Sequence, residues 1–439
     1  MSAQRPAGAD FNDPAFAANK TLPVHRWVPW IAGFSRAFVR DGLARHLDAA
    51  GPATVLDPFA GVGTTLLEAN LAGHHAIGFE INPYAAFACR TKLGAHRAEP
   101  ARLEAEAERL LCFHERAATT GLEPASTPPE GFKTRGVFYS PKVLRRVLLT
   151  QDFIDGIEDR TVADLSRLAF AATMVGYSNY SYEPSLSQRV SVGRPDVIDF
   201  PVEEVIAAKL RQMASDVGWL RERLGRRRAR AELVNESFFE GHEHLAPGSV
   251  DLLITSPPYL NNYHYNRNTR PHLFWLGFLR SSRDLRALEE RNFGKFWQTV
   301  RERKTLELDP IIRDAEIRET LATLREKNPE KGIYGGNGWA NYATAYFNDC
   351  VRFARGAKRA LRPGATALVV IGNSILQGLS IPTDRHLGAI AEAAGLEWVD
   401  VHVPRATRVG SSIIQSDVRV GKAKQGHRLY EAVVELRKR

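Results

Sequence analysis

Two short stretches carry residue types that could do chemistry. The first is Asp57-Pro58-Phe59-Ala60-Gly61-Val62-Gly63-Thr64-Thr65. Gly61 and Gly63 let the backbone approach a ligand without a Cβ in the way, and the segment after them can open a helix whose free N–H groups point at the same place. That is a cradle for a nucleotide-like cofactor. The second is Thr255-Ser256-Pro257-Pro258-Tyr259. Two successive prolines fix φ and donate no hydrogen bond, so they hold the carbonyls of Ser256 and Pro257 in a rigid turn with no N–H competing for them. Tyr259 adds a flat ring. An acceptor-rich turn beside an aromatic plate suits a planar ring that bears an amine.

Each stretch needs a strand to aim it. Thr54-Val55-Leu56 reads as a short buried strand before the first turn, with Leu66-Leu67-Glu68-Ala69 opening the helix after it. His75 to Phe79 reads as a second strand ending at Glu80, which is 23 positions after Asp57. In doubly wound sheets an acid there, roughly 20 residues beyond the glycine turn, accepts hydrogen bonds from ribose hydroxyls. Asn82-Pro83-Tyr84 starts the next helix. The third position of the dinucleotide fingerprint is Leu66 rather than glycine, which weighs against NAD. Ser249 to Ile254 reads as the strand that delivers the second stretch, and Ala231 to Val234 as another, followed by Asn235-Glu236-Ser237.

The alternation of strand and helix is interrupted twice. Residues 96 to 230 read as a mostly helical insertion, with a polar aromatic loop at Tyr177 to Pro184 and an arginine cluster at 226–230 read first as a solvated helix end. Residues 280 to 340 form a second, highly charged insertion, broken by Pro310, Pro329 and the glycines at 332, 335 and 336. Beyond it come an amphipathic helix (Ala343 to Leu361), a turn (Arg362-Pro363-Gly364), a buried strand (Thr366 to Ile371) and two paired strands (Trp398 to Val403, Leu429 to Leu436). Pro404 to Arg439 holds nine Lys/Arg against three Asp/Glu. Upstream, Phe34, Phe38, Val39, Leu43 and Leu47 recur at helical spacing. Trp27 and Trp30 before them serve either core packing or the wall of the cofactor pocket. The expected organisation is a cofactor-binding half at 21–95, the insertion at 96–230, the catalytic strand and turn at 231–279, the second insertion at 280–340, and the rest of the sheet with its basic connector at 341–439.

Composition limits the classes open to the chain. Its 439 residues, 44% hydrophobic, can bury a large core. No apolar run reaches the ~18 residues a membrane span requires, and Met1 to Pro6 lacks the apolar region of a secretory signal. Cys89, Cys112 and Cys350 lie far apart, without metal-ligand spacing, so the expectation is a reduced, cytoplasmic protein with no structural metal. The net charge of +9 suits a polyanionic partner.

Together the two motifs resemble those of the S-adenosylmethionine-dependent DNA amino-methyltransferases, which modify N4 of cytosine or N6 of adenine. Asp57 to Thr64 matches the family's cofactor motif, Glu80 its ribose-binding acid and Ser256-Pro257-Pro258-Tyr259 its catalytic tetrapeptide. With the pattern around Ile371-Gly372-Asn373-Ser374, the resemblance covers about half of the chain. It implies an α/β, Rossmann-like class I methyltransferase sheet with helical insertions. It implies S-adenosyl-L-methionine held by Asp57, Pro58, Phe59, Gly61, Gly63, Thr64, Glu80, Asn82 and Glu236. The partner it implies is double-stranded DNA, with a cognate restriction endonuclease as a further partner of such enzymes. A flipped base would stack on Tyr259, a contact typically worth about 1–3 kcal/mol. Ser256 and the Pro257 carbonyl would accept from its amino group and aim the nitrogen at the methyl donor. Asn261 to Tyr265 and Arg267 would line the base pocket or contact the flanking strand, and residues 404–428 would meet phosphates. Ser before Pro-Pro-Tyr favours cytosine N4 over adenine N6. No cysteine follows a proline, which argues against the C5-cytosine enzymes. An RNA methyltransferase acting on a tRNA guanine N2 is the alternative reading.

Overall fold

The computed structural model describes residues 11–30, 33–48, 51–182, 186–225, 229–260, 265–408 and 428–439. Seven strands make the central sheet: β1 (Thr54–Asp57), β2 (His75–Phe79), β3 (Ala231–Val234), β4 (Val250–Thr255), β5 (Leu361–Gly372), β6 (Glu397–Arg408) and β7 (Arg428–Arg437). Their order is β3-β2-β1-β4-β5-β7-β6. All neighbours pair in parallel except β7, which runs antiparallel to both β5 and β6. This is the Rossmann-like sheet expected from the sequence. The order reverses between β1 and β4, and in open α/β sheets the crevice at such a reversal, beyond the carboxyl ends of the strands, is where ligands bind.

The inner strands β1, β4 and β5 are buried on both faces, so they are rich in Val, Leu and Ile. Val55, Leu252, Ile254, Leu368 and Val370 face the helix Arg36–His46, whose Phe38 and Val39 are fully buried. The helix sits close because Gly42 has no side chain: a Cβ there would come within 2.9 Å of both Ile254 and Leu368. Leu56, Leu253, Ala367, Val369 and Ile371 alternate to the opposite face, under the helices Gly336–Ala360 and Thr383–Ala393.

The first insertion is helical as expected, with helices at Pro100–Thr120, Pro141–Asp155, Arg160–Thr173 and Val202–Leu224. Its apolar interior is continuous with Trp27, Val62, Leu67 and Tyr84 of the cofactor half. The N-terminal segment is clamped on it by one buried carboxylate. Asp216 accepts from the Val24 N–H, from the Arg26 guanidinium and, at 2.7 Å, from the Trp27 indole.

Several expectations need correction. The stretch read as a polar loop at Tyr177 to Pro184 contains one arm of a small hairpin, Tyr180–Tyr182 against Leu186–Gln188. The glycines at 332–336 do not separate the second insertion from the next helix, because that helix already begins at Gly336, packed against the Leu324 and Lys327 carbonyls where a Cβ would not fit. Arg362-Pro363-Gly364 is an irregularity within β5 rather than a turn before it, and the register against β4 jumps from Leu361 to Thr366. The helix Thr383–Ala393 was not anticipated. The arginines at 226–228, Asn261 to His264 and most of the 404–428 connector lie outside the described residues. Among the described residues no helix is long and apolar enough to cross a membrane.

Candidate functional site

The two motifs sit side by side because β1 and β4 are adjacent parallel strands, with Leu56 in register with Leu253. Their turns leave the same edge of the sheet and face one cleft of about 1110 Å³ of atom-free space, partly open to solvent. Pro58, Phe59 and Gly61 line it from the first turn, Ser256, Pro258 and Tyr259 from the second, and Glu80, Asn82 and Glu236 from the ends of β2 and β3. Asp57, Gly63, Thr64 and Pro257 are not on its wall.

Asp57 stands behind the wall, fully buried. Its Oδ1 accepts from the Phe59 N–H at 3.1 Å and from the Thr255 hydroxyl at 2.6 Å, while its Oδ2 has no hydrogen-bond partner. Burial pushes this carboxyl up to about 6, opposed by the hydroxyls of Thr255 and Thr65 and the Phe59 N–H. Glu80 joins two turns: Oε2 accepts from the Gly61 N–H at 2.8 Å and Oε1 from the Asn82 N–H at 2.7 Å. Burial pushes Glu80 up to about 7, and nearby Asp57 adds to the rise.

The glycines act as the sequence requires. Gly63 is left-handed at φ +86° and caps the helix Thr64–Ala72; a Cβ on it would lie 2.4 Å from the Cys89 sulfur. Gly61, at φ +52°, faces Trp30, whose indole nitrogen would be 3.2 Å from an added Cβ. The two tryptophans of the N-terminal segment therefore divide the roles proposed for them. Trp27 is core, and Trp30 walls the cleft. Asn82 is largely engaged in structure. Its Oδ1 caps the helix Pro83–Gly94, and its Nδ2 donates to Asn266 and, at 2.8 Å, to Thr269. Glu236 is exposed and lies 3.3 Å from His244 Nε2.

Sequence reasoning missed part of the wall. Arg291, Asn292, Phe293, Lys295 and Phe296 of the second insertion, with Tyr342, also line the cleft. Phe293 packs edge-on against Phe59 at 5.2 Å and against Tyr346 at 5.1 Å. Arg291 pairs with Glu240 at 2.6 Å. Tyr346 donates to the Pro258 carbonyl at 3.1 Å. No local pattern marks these residues, since they are brought in by helix packing alone.

S-adenosylmethionine fits the residues present. Glu80 lines the cleft and a carboxylate has about four acceptor sites, so beyond the Gly61 and Asn82 N–H groups it can still accept from a ligand's hydroxyls. The apolar wall of Phe79, Ile81, Phe238 and Phe239 suits a flat ring.

The comparisons with known proteins agree with this geometry. Residues 52–88 match the family described as DNA methylase, of the N6 and N4 type. Over 438 residues the chain is 23% identical to the type II methyltransferase M.BsoBI of Geobacillus stearothermophilus, covering 91% of this chain and 83% of that one. The chain is thus similar to DNA amino-methyltransferases, in its glycine turn and, at low identity, along most of its length. A second relative is the type II methyltransferase M.AvaI of Nostoc sp., 24% identical over 410 residues, with 87% of this chain and 80% of that one covered. Among solved structures, the rRNA methyltransferase AviRa of Streptomyces viridochromogenes aligns over 96% of this chain and 92% of its own. Its identity is 12% and its TM-score 0.33, too low to bear on function.

Proposed function

We propose that this protein is a site-specific DNA methyltransferase that moves the methyl group of S-adenosylmethionine to the exocyclic amine of a flipped base, cytosine N4 in preference to adenine N6. The observation that carries the reading is the shared cleft: the glycine turn and the Ser-Pro-Pro-Tyr turn line it together from adjacent strands, in a chain similar to DNA methylases over residues 52–88.

When bound, the donor supplies an electrophilic methyl on a sulfonium. Glu80 accepts from the ribose hydroxyls. Glu236, exposed at the end of β3, accepts from the adenine amine. Asp57 orders the turn and sets the charge at the methionine end, and the backbone at Gly61 and Gly63 lets that end approach. Pro58, Phe59 and Thr64 shape the turn, and Asn82 holds the Glu80 corner in place.

On the other side Tyr259 stacks on the extruded base. Ser256 and the Pro257 carbonyl accept from the amine, so its lone pair is directed away from them and toward the methyl. The Pro258 carbonyl accepts from the Tyr346 hydroxyl, which helps to hold the turn. Transfer then needs positioning and electrostatics rather than a covalent nucleophile. A serine in place of a carboxylate is the feature favouring cytosine. The first insertion and the basic stretch at 404–428 are assigned to DNA contact, and a companion restriction endonuclease follows from the type II relatives.

The test is to incubate the protein with unmethylated plasmid DNA and labelled S-adenosylmethionine, then digest the DNA to nucleosides. N4-methylcytosine is expected. N6-methyladenine alone would overturn the choice of base, and neither product would overturn the function.

A further inference from the structure

The Ser-Pro-Pro-Tyr turn leans on the antiparallel strand β7, which no motif marks. Glu431 of β7 is in register with Gly372 at the end of β5. The ring of Tyr259 lies against Gly372 so closely that a Cβ there would be 3.1 Å from its Cε2. Beyond the ring, the Tyr259 hydroxyl donates to Glu431 Oε1 at 3.3 Å. Burial raises the phenol pKa well above its ordinary value, with Glu431 adding to the rise and the Ser256 side chain opposing it, so Tyr259 stays protonated and remains the donor. The turn is thus pinned at three places: its Pro258 carbonyl by Tyr346, its ring face by Gly372, and its ring tip by Glu431.

A ring that serves as a stacking platform has to be held in angle as well as in place. Gly372 limits its approach on one side only, and the direction in which the ring axis points is left to the hydroxyl at its tip. We propose that Glu431 is a positioning residue for methyl transfer: through the Tyr259 hydroxyl it anchors the tip, and so the axis direction, of the ring on which the target base stacks. The proposal rests on the function given above. Glu431 touches neither donor nor base in this scheme; it acts only through Tyr259.

The experiment compares wild type, Glu431→Ala, Glu431→Gln, Tyr259→Phe and the double variant Tyr259→Phe/Glu431→Ala in single-turnover methylation of unmethylated plasmid DNA. Donor affinity is followed separately by quenching of tryptophan fluorescence, and folding by thermal melting. Misplacing a reacting group by about an ångström can cost on the order of 100-fold, and a ring whose tip is free to swing should cost ~10-fold in E431A with donor affinity unchanged. E431Q, whose amide oxygen can accept the same bond, should recover most of the rate. In the Y259F background, where the hydroxyl is gone, E431A should cost nothing further. An E431A rate equal to wild type, or losses that add in the double variant, would overturn the proposal. If E431A melts early, the remaining pair decides: E431Q must keep the rate and Y259F must lose it, and any other outcome overturns the proposal. Wild-type protein that labels no DNA would instead overturn the parent function, and this proposal with it.

Discussion

The Thr255 hydroxyl donates to Asp57 Oδ1 at 2.6 Å, directly joining the last residue of β4 to the last residue of β1. One hydrogen bond therefore ties the glycine turn to the Ser-Pro-Pro-Tyr turn across 198 residues of sequence. The two halves of the proposed site share a hinge pin, and disturbing one should be felt in the other.

Thr255→Val keeps the shape and removes the donor. Asp57 is fully buried, so its Oδ1 would keep only the Phe59 N–H and the unfolding free energy should fall by about 1–3 kcal/mol. Donor affinity should fall with it. Urea unfolding and donor titration check this, and a variant unchanged in both would show that the pin carries no load.

Gly63→Ala confronts both a left-handed backbone and the Cys89 sulfur. The backbone alone costs a non-glycine residue about 1–2 kcal/mol. The double variant Gly63→Ala/Cys89→Ala relieves the clash but not the backbone strain, so it should recover only part of the lost donor affinity. Full recovery would mean that φ at this position is of no consequence.

The raised pKa of Glu80, about 7 against an ordinary value of 4.5, gives a pH dependence of definite sign. The folded state holds the proton more tightly than the unfolded chain. Its contribution is therefore favourable below pH 4.5 and is lost as pH rises through about 7. Wild type should lose stability relative to Glu80→Gln between pH 5 and pH 8, while its advantage in donor affinity over that variant grows across the same range as the carboxylate ionises. Denaturation midpoints and donor titrations at the two pH values test both trends. Parallel curves for the two proteins would contradict the assignment.

Asp216→Ala removes the single acceptor shared by the Val24 N–H, Arg26 and Trp27. Breaking a buried charged pair from one side typically costs about 3–5 kcal/mol. The segment it anchors leads directly to Trp30 on the cleft wall. Weaker donor binding should therefore accompany the lower melting temperature, although Asp216 does not line the cleft. A melting shift with donor affinity intact would uncouple the anchor from the wall.

Much of this was legible in the sequence, for identifiable reasons. β1, β2, β4 and the core of β5 announce themselves because strands buried on both faces must be apolar throughout. Gly61 and Gly63 stand out because the backbone there demands them. Glu80 is set by its distance from the turn. What stayed hidden depends on long-range packing. Phe293 reads as one more residue in a charged insertion until the helix Gly336–Ala360 brings Tyr346 against it. Glu431 reads as an ordinary strand residue until the antiparallel register places it across from Gly372. The helix starting at Gly336 defeats its own composition, because close packing against carbonyls outweighs the conformational cost of glycine.

The first insertion leaves the sheet after the helix Pro83–Gly94 and returns at β3, which is an edge strand. It interrupts no interior pairing, and closing a longer connection costs only about 0.6 kcal/mol per doubling of its length. Such an appendage can be exchanged or rebuilt by evolution, or by an engineer, without reopening the catalytic sheet. Asp216 and the apolar core shared with Val62, Leu67 and Tyr84 set the limit on that freedom. A replacement module has to offer a carboxylate where the N-terminal segment can reach it, and the wall carrying Trp30 depends on that inherited fitting.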